Sequence, residues 1–248
     1  GLIWIPLILL AAYGAKRSMH NLSTARSDVR GALACLREPH LWIIAALYIG
    51  TFGSFIGFSA VFPKLIHDTF PQYSSFTLGT AALSLAFLGP LVGSLARPAG
   101  GKLADKIGGA RITLCALAVM GLVTLGVVLI LPAANFWAFL ALFLVLFAAS
   151  GIGNGSTYRM IPVVFALRAE NNTGNVSAAR KGAAALGLIS AIGAYGGFMI
   201  PQALGLSLSR SGSYTAAFVL FVALYAALMF LVWFCYIRRG TAFAGRSI

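Results

Sequence analysis

Charge is scarce in this sequence, and acid is scarcer still. Only 9% of the 248 residues are charged, and 5 Asp and Glu stand against 18 Lys and Arg. A soluble domain carries roughly 25% charged residues because its surface must be wetted. With 60% hydrophobic residues and a mean hydropathy of +0.91, the chain cannot be an ordinary soluble globule and reads as a polytopic membrane protein. The five acids, Asp28, Glu38, Asp68, Asp105 and Glu170, fall in loops or at helix ends, and no histidine falls inside an apolar run. No intramembrane proton relay is therefore evident in this stretch. The three cysteines, Cys35, Cys115 and Cys235, and the three histidines are widely scattered, which leaves neither a disulfide framework nor a metal cluster. No nucleophile, base and orienting group occur together, so an enzyme is not expected, and no cofactor is implied.

What is present is a series of long apolar runs. Runs able to cross a bilayer as helices lie at about Leu41–Phe62, Leu78–Gly100, Ile112–Leu131, Phe136–Tyr158, Ala183–Leu206 and Ala216–Tyr236. The opening run, Leu2–Tyr13, is shorter than the roughly 20 residues a crossing needs and lacks the flanks of a signal peptide. It reads as the tail of a span that begins upstream of Gly1, which makes the chain a piece of a longer polypeptide.

The net charge of +13 invites a nucleic-acid reading, and the placement of the cations removes it. Fourteen of the 18 fall on alternate loops and the C-terminus: Lys16, Arg17, Arg26, Arg30 and Arg37; Lys102, Lys106 and Arg111; Arg168, Arg180 and Lys181; Arg238, Arg239 and Arg246. The opposite loops carry only Lys64 and Arg210. This positive-inside asymmetry predicts a cytoplasmic opening loop and a cytoplasmic C-terminus, with the excess charge also suited to anionic lipid. The sequons at Asn21, Asn171 and Asn175 fall on that same side and are read as chance matches. Arg159 reads as an anchor at a helix end. Arg97 is left over. At about 1.5 Å per residue it lies roughly 7 to 12 Å from the loop that starts near Lys102 or Asp105, so hydropathy alone allows either a snorkelling anchor or a buried functional charge.

Five segments carry a resemblance. The loop Gly101-Lys102-Leu103-Ala104-Asp105-Lys106-Ile107-Gly108-Gly109-Ala110-Arg111 resembles the G-x-L-A-D-[RK]-x-G loop of the major facilitator superfamily. The glycine-rich run Ala183–Phe198, with Pro201 after it, is similar to the helix-eleven signature of NarK-type nitrate/nitrite porters. The segments Leu47–Ser59, Gly89–Arg97 and Gly151–Thr157 resemble the same family. The resemblance implies a C-terminal half: an all-α six-helix bundle, helices seven to twelve, over residues 41–236. Residues 1–13 would then end helix six, 14–40 would form the cytoplasmic central loop, and 237–248 the cytoplasmic tail. The missing N-terminal half would be the partner that completes the site.

The same resemblance implies roles. Arg97, whose planar guanidinium offers paired N–H donors to a flat oxyanion, is the expected substrate arginine. Phe52 is expected to wall the anion and Tyr48 to donate a hydrogen bond, although an aromatic pair one turn apart is otherwise ordinary packing. Ser190, Gly193 and Gly197 form a stripe at which the hydroxyl can meet the anion and the glycines can ease helix motion, packing being the plainer reading. Asn154 is expected either to line the cavity or to bond across helices. Gly101, Asp105, Lys106, Gly108 and Arg111 form the conformational loop, with a tight turn at the glycines and the aspartate near a helix N-terminus. The implied function is secondary transport of nitrate and nitrite across the cell inner membrane, serving nitrate assimilation, by alternating access and as an exchange that needs no proton relay. A transporter of another small or organic anion on the same fold, and a truncated half that does not transport, remain as alternatives.

Overall fold

The computed structural model describes residues 4–18, 35–78, 81–170 and 175–238. Asn21, Arg26, Arg30, Asn171, Arg239 and Arg246 lie outside the described residues, as do parts of the central loop and the tail. The chain divides into two units, Gly1–Arg30 and Gly31–Ile248. The first contains helix α1, Trp4–Ser18, which carries Lys16 and Arg17 in its last turn. There Arg17 Nη1 donates to the Tyr13 hydroxyl at 2.9 Å.

The second unit is a bundle of helices that follow the apolar runs. Helix α2, Pro39–Tyr48, starts at a proline, whose missing N–H costs nothing in a first turn. It passes through a π-turn, Ile49–Gly53, into α3, Ser54–Thr69. Then follow α4, Leu88–Ile107, α5, Gly109–Ile130, and α6, Phe136–Glu170. Helices α7, Asn175–Ala194, and α8, Gly196–Ser211, are separated by a single break at Tyr195, and α9, Thr215–Val232, closes the bundle with a second π-turn, Trp233–Ile237. Among the described residues five helical stretches are long and apolar enough to cross a membrane: Pro39–Thr69, Gly109–Ala133, Phe136–Leu167, Gly182–Ser211 and Thr215–Ile237.

The sixth expected crossing differs. The residues described ahead of α4 are not α-helical: β1, Phe76–Leu78, pairs antiparallel with β2, Ala81–Leu83, and a 3-10 turn, Leu85–Phe87, leads into α4. Ser84 starts that turn by accepting from the Ala86 N–H at 3.4 Å. Helix α4 is thus shorter than its apolar run and carries Arg97, Lys102, Asp105 and Lys106 within its 20 residues.

Contacts between remote residues define two ends. At one, His40 Nδ1 and the Tyr236 hydroxyl are hydrogen-bonded at 3.2 Å and Asp105 pairs with Arg159. At the other, the Tyr214 hydroxyl donates to Asp68 at 2.5 Å and Tyr73 stacks on Phe136 with centroids 4.2 Å apart. The interior near this second end is aromatic: Phe58, Phe62, Phe139, Phe143 and Phe218 are essentially fully buried and pack on one another by stacking and by edges. The α4 and α6 backbones approach through glycine. A Cβ on Gly151 would strike the Gly93 carbonyl oxygen, one on Gly155 that of Arg97, and one on Gly100 that of Ile152. Small residues at such a seam let two helices meet closely where no hydrophobic force drives them together.

Candidate anion site at Arg97

The Gly93, Arg97 and Gly100 side of α4 lies along this seam, so the position of the Arg97 backbone is set by contact with Gly155. Its side chain is exposed and reaches over two rings. Arg97 Cζ lies 6.0 Å from the centroid of Phe52 and 5.6 Å from that of Tyr158, both within cation–π range. Phe52 stacks on Tyr48 at 4.9 Å with 21° between planes, and Tyr48 meets Tyr158 at 6.3 Å. Tyr48 is buried at 2% exposure, with Arg97, Tyr158 and Ser190 in electrostatic reach. Four separate parts of the bundle therefore converge: the α2 end with its π-turn, α4, α6 and α7.

Among the described residues no carboxylate joins this convergence. Among the described residues the ion pairs are Lys64 and His67 with Asp68, and Arg159 with Asp105. Arg97 has none, and ring faces meet its charge instead. A guanidinium held in this way keeps its paired donors for an anion, whereas a carboxylate neighbour would occupy them.

The remaining expected residues fall into place unevenly. Gly193 belongs to the site's wall, since a Cβ there would strike Tyr48 Cδ1; Gly197, one turn on, faces Ile56 Cγ2, 2.7 Å from where its Cβ would be. Both permit α7 and α8 to approach the α2–α3 stretch, and neither opens onto free space. Asn154 is buried at 1% exposure, and its Oδ1 has no hydrogen-bond partner among the described residues. It lies one turn before Tyr158 on α6. Gly101, Asp105 and Lys106 are not loop residues: α4 runs through them to Ile107, and Arg111 is in the first turn of α5. The turn is Gly108 alone, at φ 100°, a region open to glycine. Asp105 therefore lies in the last turn of a helix, not near an N-terminus, where the dipole does not favour it, and the Arg159 guanidinium answers its charge instead. Arg159 itself is mid-helix, because α6 continues to Glu170.

The family model for the Major Facilitator Superfamily matches residues 1–192. The chain belongs to the major facilitator superfamily. Within that superfamily it is similar to the nitrate/nitrite transporter NarU of Escherichia coli (strain K12), at 41% identity over 96% of this chain and 52% of that protein. The corresponding transporter of Salmonella typhimurium is 42% identical over the same shares. A probable nitrate/nitrite antiporter of Thermus thermophilus is 36% identical over 96% of this chain and 51% of its own length. The chain spans about half the length of these curated relatives. A multi-pass membrane transporter fold, anticipated from composition and from the Gly101–Arg111 motif, is thus the fold of this chain. Tyr158 is the site residue that sequence reasoning missed, having marked it only as the end of a span. The available signal was its spacing of four from Asn154, which puts both on one side of α6.

Proposed function

We propose that this chain supplies one half of the substrate site of a secondary transporter for nitrate and nitrite. The observation that carries the reading is Arg97, poised over Phe52 and Tyr158 beside the Tyr48 phenol, with no carboxylate on it. Nitrate and nitrite are flat oxyanions. Two parallel guanidinium N–H groups can bind two oxygens in the anion plane, a phenol can donate to one of them, and an aromatic face can flank that plane. Ser190 bears on the site through Tyr48, and Gly193 leaves the room that Tyr48 fills. Similarity to nitrate/nitrite transporters over 96% of the chain supports this substrate class over other anions.

The mechanism is alternating access at a site between repeats. A second half brings a second cation to the anion, and the anion's charge relieves repulsion between the two as the halves rock. The end that holds Arg37, Lys102, Lys106, Arg111 and Arg238 is the cytoplasmic one, because cations accumulate there, and the membrane is the cell inner membrane. Gly108 and the Asp105–Arg159 pair tie α4, α5 and α6 at that end, as a conformational joint requires. Exchange of nitrate for nitrite is the expected coupling, as both described aspartates of the bundle are already paired.

The test uses the complete transporter in proteoliposomes, with nitrate uptake measured against internal nitrite. Arg97→Lys should abolish most uptake although charge is retained, and near-normal uptake would refute the role of Arg97. Failure of nitrate and nitrite to compete for binding would point to another anion. Uptake that collapses with an uncoupler despite internal nitrite would refute exchange.

A further inference from the structure

We infer that Tyr158 is a positioning residue for Arg97, acting through the face of its ring, so that the guanidinium waits in register with the Tyr48–Phe52 wall. This deepens the anion reading above and rests on it for the identity of the ligand. An arginine side chain exposed at the edge of a helix has many rotamers, and an anion that must first immobilise it binds more weakly. Something must therefore hold Arg97 before the anion arrives. Hydrogen-bonding groups do not: among the described residues Arg97 has no ion pair and no side-chain hydrogen bond. Its contacts are the two rings, and Tyr158 at 5.6 Å is nearer than Phe52 at 6.0 Å.

Three further features make the Tyr158 contact a built one. Gly155, three residues before Tyr158, has the Arg97 carbonyl oxygen packed against it, so the backbones that carry the two side chains are locked together. Tyr48, which is buried, touches both Phe52 and Tyr158 and fixes the angle between the rings. The Tyr158 hydroxyl has no hydrogen-bond partner among the described residues, so what Tyr158 offers is its face. A ring face also holds a cation without offering the lone pairs with which a carboxylate would compete against the anion. The next residue shows the alternative, since Arg159 meets Asp105 and its charge is taken up.

The experiment places phenylalanine and its mono-, di- and trifluorinated forms at position 158 of the full transporter. Fluorine withdraws electron density from the face while leaving ring shape almost unchanged, so folding is retained and only the cation–π attraction is graded. Nitrate affinity is measured by titration. Tyr158→Phe should bind within about twofold of the unaltered protein, and affinity should fall stepwise to about fivefold weaker at the trifluorinated ring, within the range of a cation–π contact. Tyr158→Leu should lose about as much as the trifluorinated ring or more, and should lose nothing further in an Arg97→Ala background. A flat fluorination series, or a Tyr158→Phe loss equal to that of Tyr158→Leu, overturns the inference. A second readout needs no anion: the rate at which an arginine-selective dicarbonyl modifies Arg97, followed site by site by mass spectrometry. That rate should rise along the series, and an unchanged rate also overturns the inference. If the unaltered protein binds neither nitrate nor nitrite while Arg97 reactivity still follows fluorination, the anion reading fails and the positioning role of Tyr158 stands.

Discussion

Two arginines in one bundle meet opposite surroundings. Arg97 on α4 lies over the faces of Phe52 and Tyr158, whereas Arg159 on α6, the residue next to Tyr158, pairs with Asp105 of α4. The same two helices thus make both contacts. At one, a cation meets polarizable rings and keeps its hydrogen-bond donors; at the other it meets a carboxylate and spends them. The exposed pair, with side chains 48% and 52% accessible, fastens the last turn of α4 to the middle of α6, while the arginine without a carboxylate is the one proposed to receive an anion.

The sharpest way to break this contrast is Arg97→Lys. A lysine retains the charge and forfeits the paired planar donors, so nitrate affinity should fall roughly a hundredfold, the scale of losing a bidentate charge-assisted contact. Titration of the purified transporter checks this. Next in size is Gly193→Val, which drives a side chain into Tyr48 and should displace the wall beneath Phe52. An affinity loss of roughly tenfold is expected, with assembly intact on size-exclusion chromatography. Gly53→Ala bears on stability more than on the anion. Its Cβ would sit 2.7 Å from the Gly196 Cα, a backbone atom that cannot swing aside, and overpacking of this kind costs about 1–3 kcal/mol, visible as a lowered Tm.

The paired charges should respond least. Asp105→Asn should change stability by less than about 1 kcal/mol, since an exposed ion pair is worth little, and should leave the nitrate Kd unchanged. A large loss of affinity in that variant would dissolve the distinction between the two arginines. At the far end, Tyr214→Phe removes the hydrogen bond to Asp68, a loss of roughly 1 kcal/mol. Burial and the Asp68 carboxylate hold the Tyr214 phenol well above its ordinary range. With the Asp68 carboxylate ionised, its donation should be insensitive to pH between about 5 and about 10, and above that range stability should decline, because the unfolded phenol ionises first.

Much of this architecture was legible in the residues. Long apolar runs report helices because a backbone in lipid must satisfy itself, and Tyr48 and Phe52 can be placed on one side of a helix from their spacing of four. Arg97 stood out as a charge that no loop accounted for. The misreadings share a cause. The run from Leu78 reads as the start of a helix because apolar composition is common to strand and helix, and hydropathy does not report the pairing of Phe76–Leu78 with Ala81–Leu83. The glycines of the Gly101–Arg111 motif suggest a turn that would put Asp105 near a helix N-terminus, whereas only Gly108 turns and Asp105 stays in the last turn of α4. The π-turn at Ile49–Gly53 leaves no mark in composition at all.

The sequence by itself determined the class of molecule, the order of the helices, the uneven distribution of cations and the one arginine that no loop or helix end accounts for, since each follows from composition or spacing along one chain. Only the tertiary structure decided what surrounds that arginine. Tyr158 is 61 residues from Arg97, and Asp105 is 54 from Arg159. Such neighbours are chosen by how closely glycines let α4 and α6 approach, and that is a property of two packed surfaces which neither helix carries alone.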